Sequence, residues 1–317
     1  MRFIELTDTQ LRGNNPCNRV GDYCGDMYIK MQEVVAIGEE LKVDAYVHAG
    51  DLWDLPILSL NVVDRFVDLM EKTKKPWLVV RGNHDEIGHN PELSGASVLD
   101  HLFRRSLYIK HLDVFEIDNV VFEGFDYYHN IEKDIKEKGL MRKSANTNLR
   151  GIAVVHAFIV PMKMHPAILH ATFDEIKTDF DLVLCGHYHG DFGIHKVGKT
   201  TYVGLGALAR MALSRADVLR TPQILFVDTQ TPKLQIIPLK TAKPYQELFD
   251  LNVIDSKEEM VNRIDDFVHS LGDIKVQGLN LRSIVETIGS ERKARRDIID
   301  TVVNRIGRFE QEAERGK

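Results

Sequence analysis

The order of apolar runs predicts an α/β protein folded as a four-layer α/β/β/α sandwich with a mostly helical C-terminal appendage. Three observations carry this expectation. Over the first hundred residues, stretches of helical period alternate with short apolar strands. From residue 107 to 240 strand-like runs dominate, which a second sheet packed on the first would absorb. Several of the strands end in glycine followed by a carboxylate, amide or imidazole, as happens when the carboxyl ends of a sheet carry the chemistry.

Residues 2–7 alternate and deliver Asp8 to the end of a first strand. The stretch 12–26 holds Gly13, Asn14, Asn15, Pro16, Gly21 and Gly25, a density of turn residues that predicts a loop. Met27, Met31, Val34, Val35 and Leu41 recur at helical spacing over 27–42, and Ala45–Ala49 reads as a buried strand ending at Gly50-Asp51. A helix over 58–73 precedes the strand Trp77–Val80, which runs into Gly82-Asn83-His84-Asp85. A helix is expected over 95–105, two or three strands over 107–128, and an exposed helix or lid over the charged residues 131–143. The strand Ile152–Val155 ends in His156, and Leu182–Cys185 ends in Gly186-His187-Tyr188-His189. Further strands are expected at 192–197, 200–204, 223–228 and 234–239. Beyond Pro244 the pattern turns helical: Ser256 and Glu259 make a capping box, and a last helix from Ser290 carries an apolar stripe. The boundaries follow as a catalytic domain over 1–244 and a helical segment over 245–317.

The 317 residues are 44% hydrophobic and 28% charged, so the chain can bury a sizeable core and is neither fibrous nor disordered. A net charge of −6 speaks against a surface uniformly coated in positive charge for gripping nucleic acid, though not against a local basic face. No run approaches the length of a membrane span and no signal-peptide core is present, which predicts a soluble cytoplasmic protein with no membrane contact. Three cysteines, Cys17, Cys24 and Cys185, are too few and too scattered for a disulfide framework or a Cys-x-x-Cys zinc pattern.

Asp8, Asp51, Asn83, His156, His187 and His189 each lie at or just beyond a strand end, so one rim of the sandwich would collect them. Carboxylate, amide oxygen and imidazole together suit divalent Mn, Mg, Fe or Zn, and a shared aspartate can bridge two such ions. Two ions generate hydroxide near neutral pH and stabilise both oxygens of an in-line displacement at phosphorus. His84, beside Asn83, is the natural acid for the leaving group, and Asp54 would orient its ring.

Asp8-x-Gln10, Gly50-Asp51-x-x-Asp54, Gly82-Asn83-His84-Asp85, His156 and Gly186-His187-x-His189 resemble, in order, the motifs of the calcineurin-like metallophosphoesterase superfamily. Within it, the segment Val43–Asp54, the run Ser94–Leu99, the Gly124–Tyr128 turn and Gly204–Arg210 are most similar to SbcD/Mre-type DNA repair nucleases. The resemblance covers residues 1–240 and implies the metallophosphoesterase sandwich with two divalent ions, Mn foremost. It places one ion on Asp8, Gln10, Asp51 and His189, and the other on Asp51, Asn83, His156 and His187. Gln10 departs from the family, which usually has histidine there; an amide oxygen is the weaker ligand for a transition metal and favours a harder ion. The resemblance further implies a DNA exonuclease and endonuclease of repair and recombination. Its partner would be an SbcC/Rad-type SMC-like ATPase, bound through a cap and partner-binding segment at 245–317, and homodimers are common in the family.

Two competing readings stand beside this one: a phosphodiesterase or phosphatase for nucleotides or other small molecules, since the motifs specify chemistry and not substrate, and a scaffold weakened in catalysis by Gln10. His129, Arg150 and Arg210 are expected substrate contacts. The basic residues of 133–150 are interleaved with Glu132, Asp134 and Glu137, as on a solvated helix face, and the cluster Arg292–Arg296 could meet a phosphate or an acidic partner. His48, His101, His111, His195 and His269 lack motif context and are read as structural or surface residues.

Overall fold

The computed structural model describes residues 1–16, 19–87, 95–164, 168–211, 220–231 and 233–249. The first sheet has the order β14–β13–β1–β2–β3–β4. Its strands are β1 (Arg2–Leu6), β2 (Ala45–His48), β3 (Trp77–Val79), β4 (Ile109–His111), β13 (Gln223–Asp228) and β14 (Leu234–Pro238). From β1 to β4 the neighbours run parallel, while β13 and β14 close the other edge antiparallel. The second sheet has the order β11–β12–β10–β7–β6–β5. It comprises β5 (Val114–Ile117), β6 (Val120–Phe125), β7 (Arg150–His156), β10 (Leu182–Gly186), β11 (Gly193–Val197) and β12 (Thr200–Gly204). Here β6, β7, β10 and β12 are parallel, and β5 and β11 form antiparallel edges. A short ribbon joins β8 (Ile159–Val160) and β9 (Ala171–Thr172).

The central strands read as continuous apolar runs because both of their faces are covered: β2 is buried at all four residues and β10 at all five. Alternate residues therefore serve different cores. Phe3, Ala45, Val47 and Leu78 of the first sheet meet Phe122, Ile152, Val154 and Leu184 of the second between the sheets. Ile4, Leu6, Tyr46 and Trp77 face the opposite way, onto the helices α1 (Tyr23–Glu40), α2 (Leu60–Lys72) and α3 (Val98–Arg105). The outer face of the second sheet, with Ala153, Val155, Val183 and Cys185, is covered by α4 (Ile131–Lys138), the β8–β9 ribbon and a tight turn at Phe173–Glu175. The four layers are present, and the outer layer on the second sheet is the thin one.

Two local expectations need correction. The loop expected to run to residue 26 stops at Gly21, because Asp22 caps α1 by accepting the Gly25 amide at 2.9 Å, so Gly25 sits in the first helical turn. The helix expected over 131–143 ends at Lys138, where Gly139 takes a φ of +82°. The capping box at Ser256 and Glu259, the helix from Ser290, the cluster Arg292–Arg296, His269 and Cys17 lie outside the described residues. Cys24 and Cys185 are buried free thiols.

Candidate metal centre

Because β1, β2, β3, β7 and β10 run parallel within their sheets, their carboxyl ends form one rim, and the loops beyond them carry the predicted residues. The two sheets meet closely here. The loops after β1 and β2 are tied together by their backbones: the Asp8 amide donates to the Gly50 carbonyl at 3.1 Å and the Gln10 amide to the Asp51 carbonyl at 3.0 Å. Gly50 has a φ of +94°, and a Cβ there would fall 2.2 Å from Nδ1 of His156, so no other residue fits between the sheets.

The backbone is strained where the ligand-type residues sit. Asp8, Gln10, Asp51 and His187 all have positive φ, at +48°, +42°, +55° and +78°. Such conformations cost of order 1–3 kcal/mol each in a non-glycine residue and persist only where surroundings enforce them. All four aim a side chain at the same point.

One oxygen of each aspartate is bound within the protein. Thr7 Oγ1 and the His187 amide donate to Asp8 Oδ2 at 2.6 and 3.1 Å, and the His84 amide donates to Asp51 Oδ1 at 2.9 Å. The other oxygens, Asp8 Oδ1 and Asp51 Oδ2, are buried and accept no hydrogen bond, and neither does Gln10 Oε1. An orphaned buried acceptor costs about 1–3 kcal/mol, so three of them converging on one spot call for a positively charged occupant. Asp51, His156 and His187 bring ligand atoms within 4.8 Å of one another, as do Asp8, Asp51 and His189, so Asp51 belongs to both groups. These donors fit a pair of divalent cations.

The imidazoles are set for the same role. His156 Nδ1–H donates to the Ala49 carbonyl at 2.7 Å, leaving Nε2 to face Asn83 Oδ1 at 3.1 Å and Asp51 Oδ1 at 3.5 Å. Burial opposes charge on this ring, yet the Asp51 and Asp8 carboxylates push it up to about 10. Burial also opposes ionisation of Asp51 and Asp8, but His156 beside Asp51, and His189 and His156 beside Asp8, hold both carboxyls below their ordinary range. His187, half-buried and next to His156, is pushed down by desolvation and that neighbour to about 4 and so presents a neutral ring. His189 Nε2 lies 3.5 Å from Asp8 Oδ1 and 3.2 Å from the Gln10 amide nitrogen. Asp8, Gln10, Asp51, Asn83, His156, His187 and His189 are thus brought together.

His84 faces the rim with Nε2 4.0 Å from Asp51 Oδ2. Its Nδ1–H is held by the backbone carbonyl of Asp54 at 2.9 Å, with the Asp54 carboxylate at 3.5 Å. The expected orienting role thus falls mainly to the carbonyl of Asp54. Its carboxylate is engaged by Arg12, whose Nη1 donates to Oδ2 at 2.6 Å. Burial lifts the Asp54 carboxyl above its ordinary value even so.

Sequence reasoning missed Arg12, and it missed what Asp85 does. The Asp85 carboxyl accepts the Gly82, Trp53 and Leu52 amides at 2.9, 3.0 and 3.3 Å, tying the loop after β2 to the loop after β3. Burial and the Asp51 charge push it up to about 8. The ordered Gly-Asn-His-Asp run signals a tight turn, but no local pattern reveals which amides the last carboxyl would reach. Around His187 stand Tyr127, Phe158 and, behind Phe158, Tyr188, with ring centroids 5.4, 5.8 and 5.2 Å apart in turn.

Of the three expected substrate contacts, Arg150 and Arg210 lie away from the rim, and His129 follows the carboxyl end of β6, two residues beyond Tyr127. His129 is exposed in the turn before α4. Arg150 opens β7 while His156 ends it, so six residues of strand, roughly 20 Å, separate them. Arg210 is only 3% exposed, and its guanidinium donates to the Lys243 carbonyl inside the protein. Of the basic residues at 133–143, Lys133, Lys136, Lys138, Arg142 and Lys143 all form ion pairs, as a solvated face does. His48 is buried with Nε2 3.0 Å from Thr9 Oγ1, in keeping with a structural role.

Several known proteins are similar to this chain. The chain is 20% identical over 297 residues to the DNA double-strand break repair protein Mre11 of Sulfolobus acidocaldarius, covering 92% of this chain and 73% of that protein. It is 20% identical over 167 residues to the Mre11 of Sulfurisphaera tokodaii, where the match covers 52% of this chain and spans 43% of the relative's length. Among solved structures, a dimetal phosphatase from Danio rerio superposes with a TM-score of 0.46 at 13% identity, covering 76% of this chain and 99% of that one. The family model for calcineurin-like phosphoesterases matches residues 1–191. Since that span takes in every strand-end residue gathered at the rim, the chain belongs to the calcineurin-like phosphoesterase family.

Proposed function

We propose that the protein is a divalent-metal-dependent phosphodiesterase that cleaves DNA as an exonuclease and endonuclease in repair and recombination. The observation that carries the chemistry is the set of three orphaned buried oxygens, Asp8 Oδ1, Asp51 Oδ2 and Gln10 Oε1, in the adjoining loops after β1 and β2, beside the imidazoles that the second sheet brings to the same rim. Members of the family use a dinuclear metal site. Asp8, Gln10, Asp51 and His189 would hold one ion, and Asp51, Asn83, His156 and His187 the other, with Mn as the first choice. When bound, the pair supplies a hydroxide nucleophile and charge stabilisation at the phosphorus.

The protein's own groups do the rest. The Ala49 carbonyl holds Nδ1 of His156, so Nε2 is the nitrogen turned toward the rim. The Asp54 carbonyl holds the Nδ1 proton of His84 and directs Nε2 inward. From there His84, protonated at Nε2, gives its proton to the departing sugar oxygen. Arg12 keeps the Asp54 carboxylate occupied and the loop fixed. The half-exposed rings of Phe158 and Tyr188 beside His187 offer faces on which nucleobases stack, which favours a nucleic acid over a small ester. The relatives named for DNA double-strand break repair support the same reading. The reading includes an SMC-like ATPase partner docking on residues 245–317, and pairing of two catalytic domains.

The test offers the Mn-loaded protein linear DNA, circular single-stranded DNA and a small chromogenic phosphodiester. Nuclease activity lost in His84→Ala supports the proposal. Cleavage of the small ester alone would point to a small-molecule phosphodiesterase, and inertness at high metal to a scaffold. Tyr188→Ala and Phe158→Ala are expected to raise KM for DNA about tenfold or more, as loss of one base-stacking face does, and to leave the small ester unaffected.

A further inference from the structure

At the end of the second sheet opposite the metal rim, the amino ends of β7 and β10 and the β11–β12 hairpin enclose a cleft of about 480 Å³. That volume lies within the roughly 300–1,000 Å³ range of small-molecule sites. Three cations line it, Arg142, Arg150 and Lys199, against two carboxylates, Asp179 and Asp181. In a chain of net charge −6 the cleft is therefore locally positive, by one charge from these five groups.

The cations differ in how they are held. Arg142 is fixed: its side chain is 8% exposed, Nη1 donates to the Leu149 carbonyl at 2.8 Å and Nη2 to Asp181 Oδ2 at 2.9 Å. Its guanidinium lies flat on Gly151, where a Cβ would fall 2.3 Å from Nη2, so the glycine is required for this position. Asp181 is also tied down, by the Gly151 amide at 2.8 Å, and Asp179 Oδ1 accepts the Arg142 amide at 2.9 Å. Asp181 Oδ2 is thus committed to Arg142 and the Gly151 amide, and Asp179 Oδ1 to the Arg142 amide. Arg150 and Lys199, by contrast, make no ion pair or side-chain hydrogen bond among the described residues. Two uncommitted cations beside a rigid third, in a concave site where Asp181 is already paired with Arg142, form a receptor for a compact dianion. Thr147, Asn148 and Thr178 add hydroxyl and amide groups suited to the polar remainder of such a ligand.

We propose that this cleft binds a small phosphate monoester, its phosphate held by Arg150 and Lys199 over Arg142. The site is separate from the metal rim by the length of β7, and its occupancy is independent of what the rim hydrolyses. Calorimetric titration of the full chain in excess EDTA, which keeps phosphate off the metal rim, tests this with inorganic phosphate and adenosine 5′-monophosphate as probes. Saturable binding of either is expected, weakened about tenfold or more in Arg150→Gln/Lys199→Gln and unchanged in Asp51→Asn. Tighter binding of the nucleotide identifies an organic phosphate as the ligand, and equal binding identifies free phosphate. Both substitutions fall on residues with no structural partner, and a matching melting temperature confirms that the variant folds. Absence of saturable binding, or equal affinity in the double variant, overturns the proposal.

Discussion

The two ends of β7 hold the same kinds of residue, carboxylates and cationic or imidazole groups, yet arrange them in opposite ways. At the carboxyl end, Asp8 and Asp51 each leave one oxygen buried and unbonded, on a backbone forced to positive φ. At the amino end, Asp181 places one oxygen between the Arg142 guanidinium and the Gly151 amide, and the cations Arg150 and Lys199 are the groups left over. The carboxyl end is short of positive charge and the amino end short of negative charge. Unmet bonding capacity, more than residue type, separates a place prepared for a cation from one prepared for an anion.

The largest expected effect follows from filling the deficit at the carboxyl end by mutation. Asp51→Asn removes the carboxylate common to both ligand groups, and kcat/KM for phosphodiester hydrolysis should fall by at least about 10³-fold while the circular-dichroism spectrum is retained. Activity within tenfold of the parent would mean that the orphaned oxygens serve no ion. His84→Ala comes next, with a loss of about 10²–10⁴-fold on DNA. That loss should shrink on a chromogenic ester with a good leaving group, which needs no proton; an equal loss on both substrates would remove His84 from the acid's role.

At the amino end the effects should appear in stability and leave hydrolysis alone. Asp181→Ala frees Arg142 and strips the Gly151 amide of its acceptor, and denaturant unfolding should register a loss of about 1 kcal/mol, since the Asp181 side chain is half exposed and screened by water. Between the two ends, Glu5 in the middle of β1 gives the smallest effect. Burial, then the Asp8 charge, raises its carboxyl well above the ordinary value. A group with a raised folded pKa favours the fold fully below its unfolded pKa of about 4.3 and progressively less as pH rises toward the folded one. Glu5→Gln should therefore raise the melting temperature by a few degrees at pH 8, and the gain should vanish below about pH 4. A pH-independent difference would show that Glu5 is ionised in the folded protein.

Much of the site was legible because its residues follow strand ends, and the period of a strand marks where it stops. Asp8, Asp51, Asn83, His156, His187 and His189 came from that signal alone. The same signal places Arg150 before its strand and hence at the far end from His156; charge drew it toward the substrate where position along the strand argued against it. Arg210 misled for a related reason. An arginine in the run between the strand pairs 192–204 and 223–239 reads as exposed, but the segment 207–209 runs back beside Thr7 and Asp8, through the Leu208 and Ala209 amides, and buries it.

By itself the sequence determined the alternation of helices and strands, the residue types at each strand end and the order of the family motifs, because each depends on periodicity and spacing along the chain. The tertiary structure alone decided which partners those residues meet. It assigned the Asp54 carboxylate to Arg12 and the Asp54 carbonyl to His84, and spent the Asp85 carboxyl on three amides from two loops. It also left three oxygens without a donor and two cations without a carboxylate at opposite ends of one strand. Most of these pairings join residues far apart in the chain, and only the way neighbouring strands bring their end loops together sets which donors come within reach and which groups go unpaired.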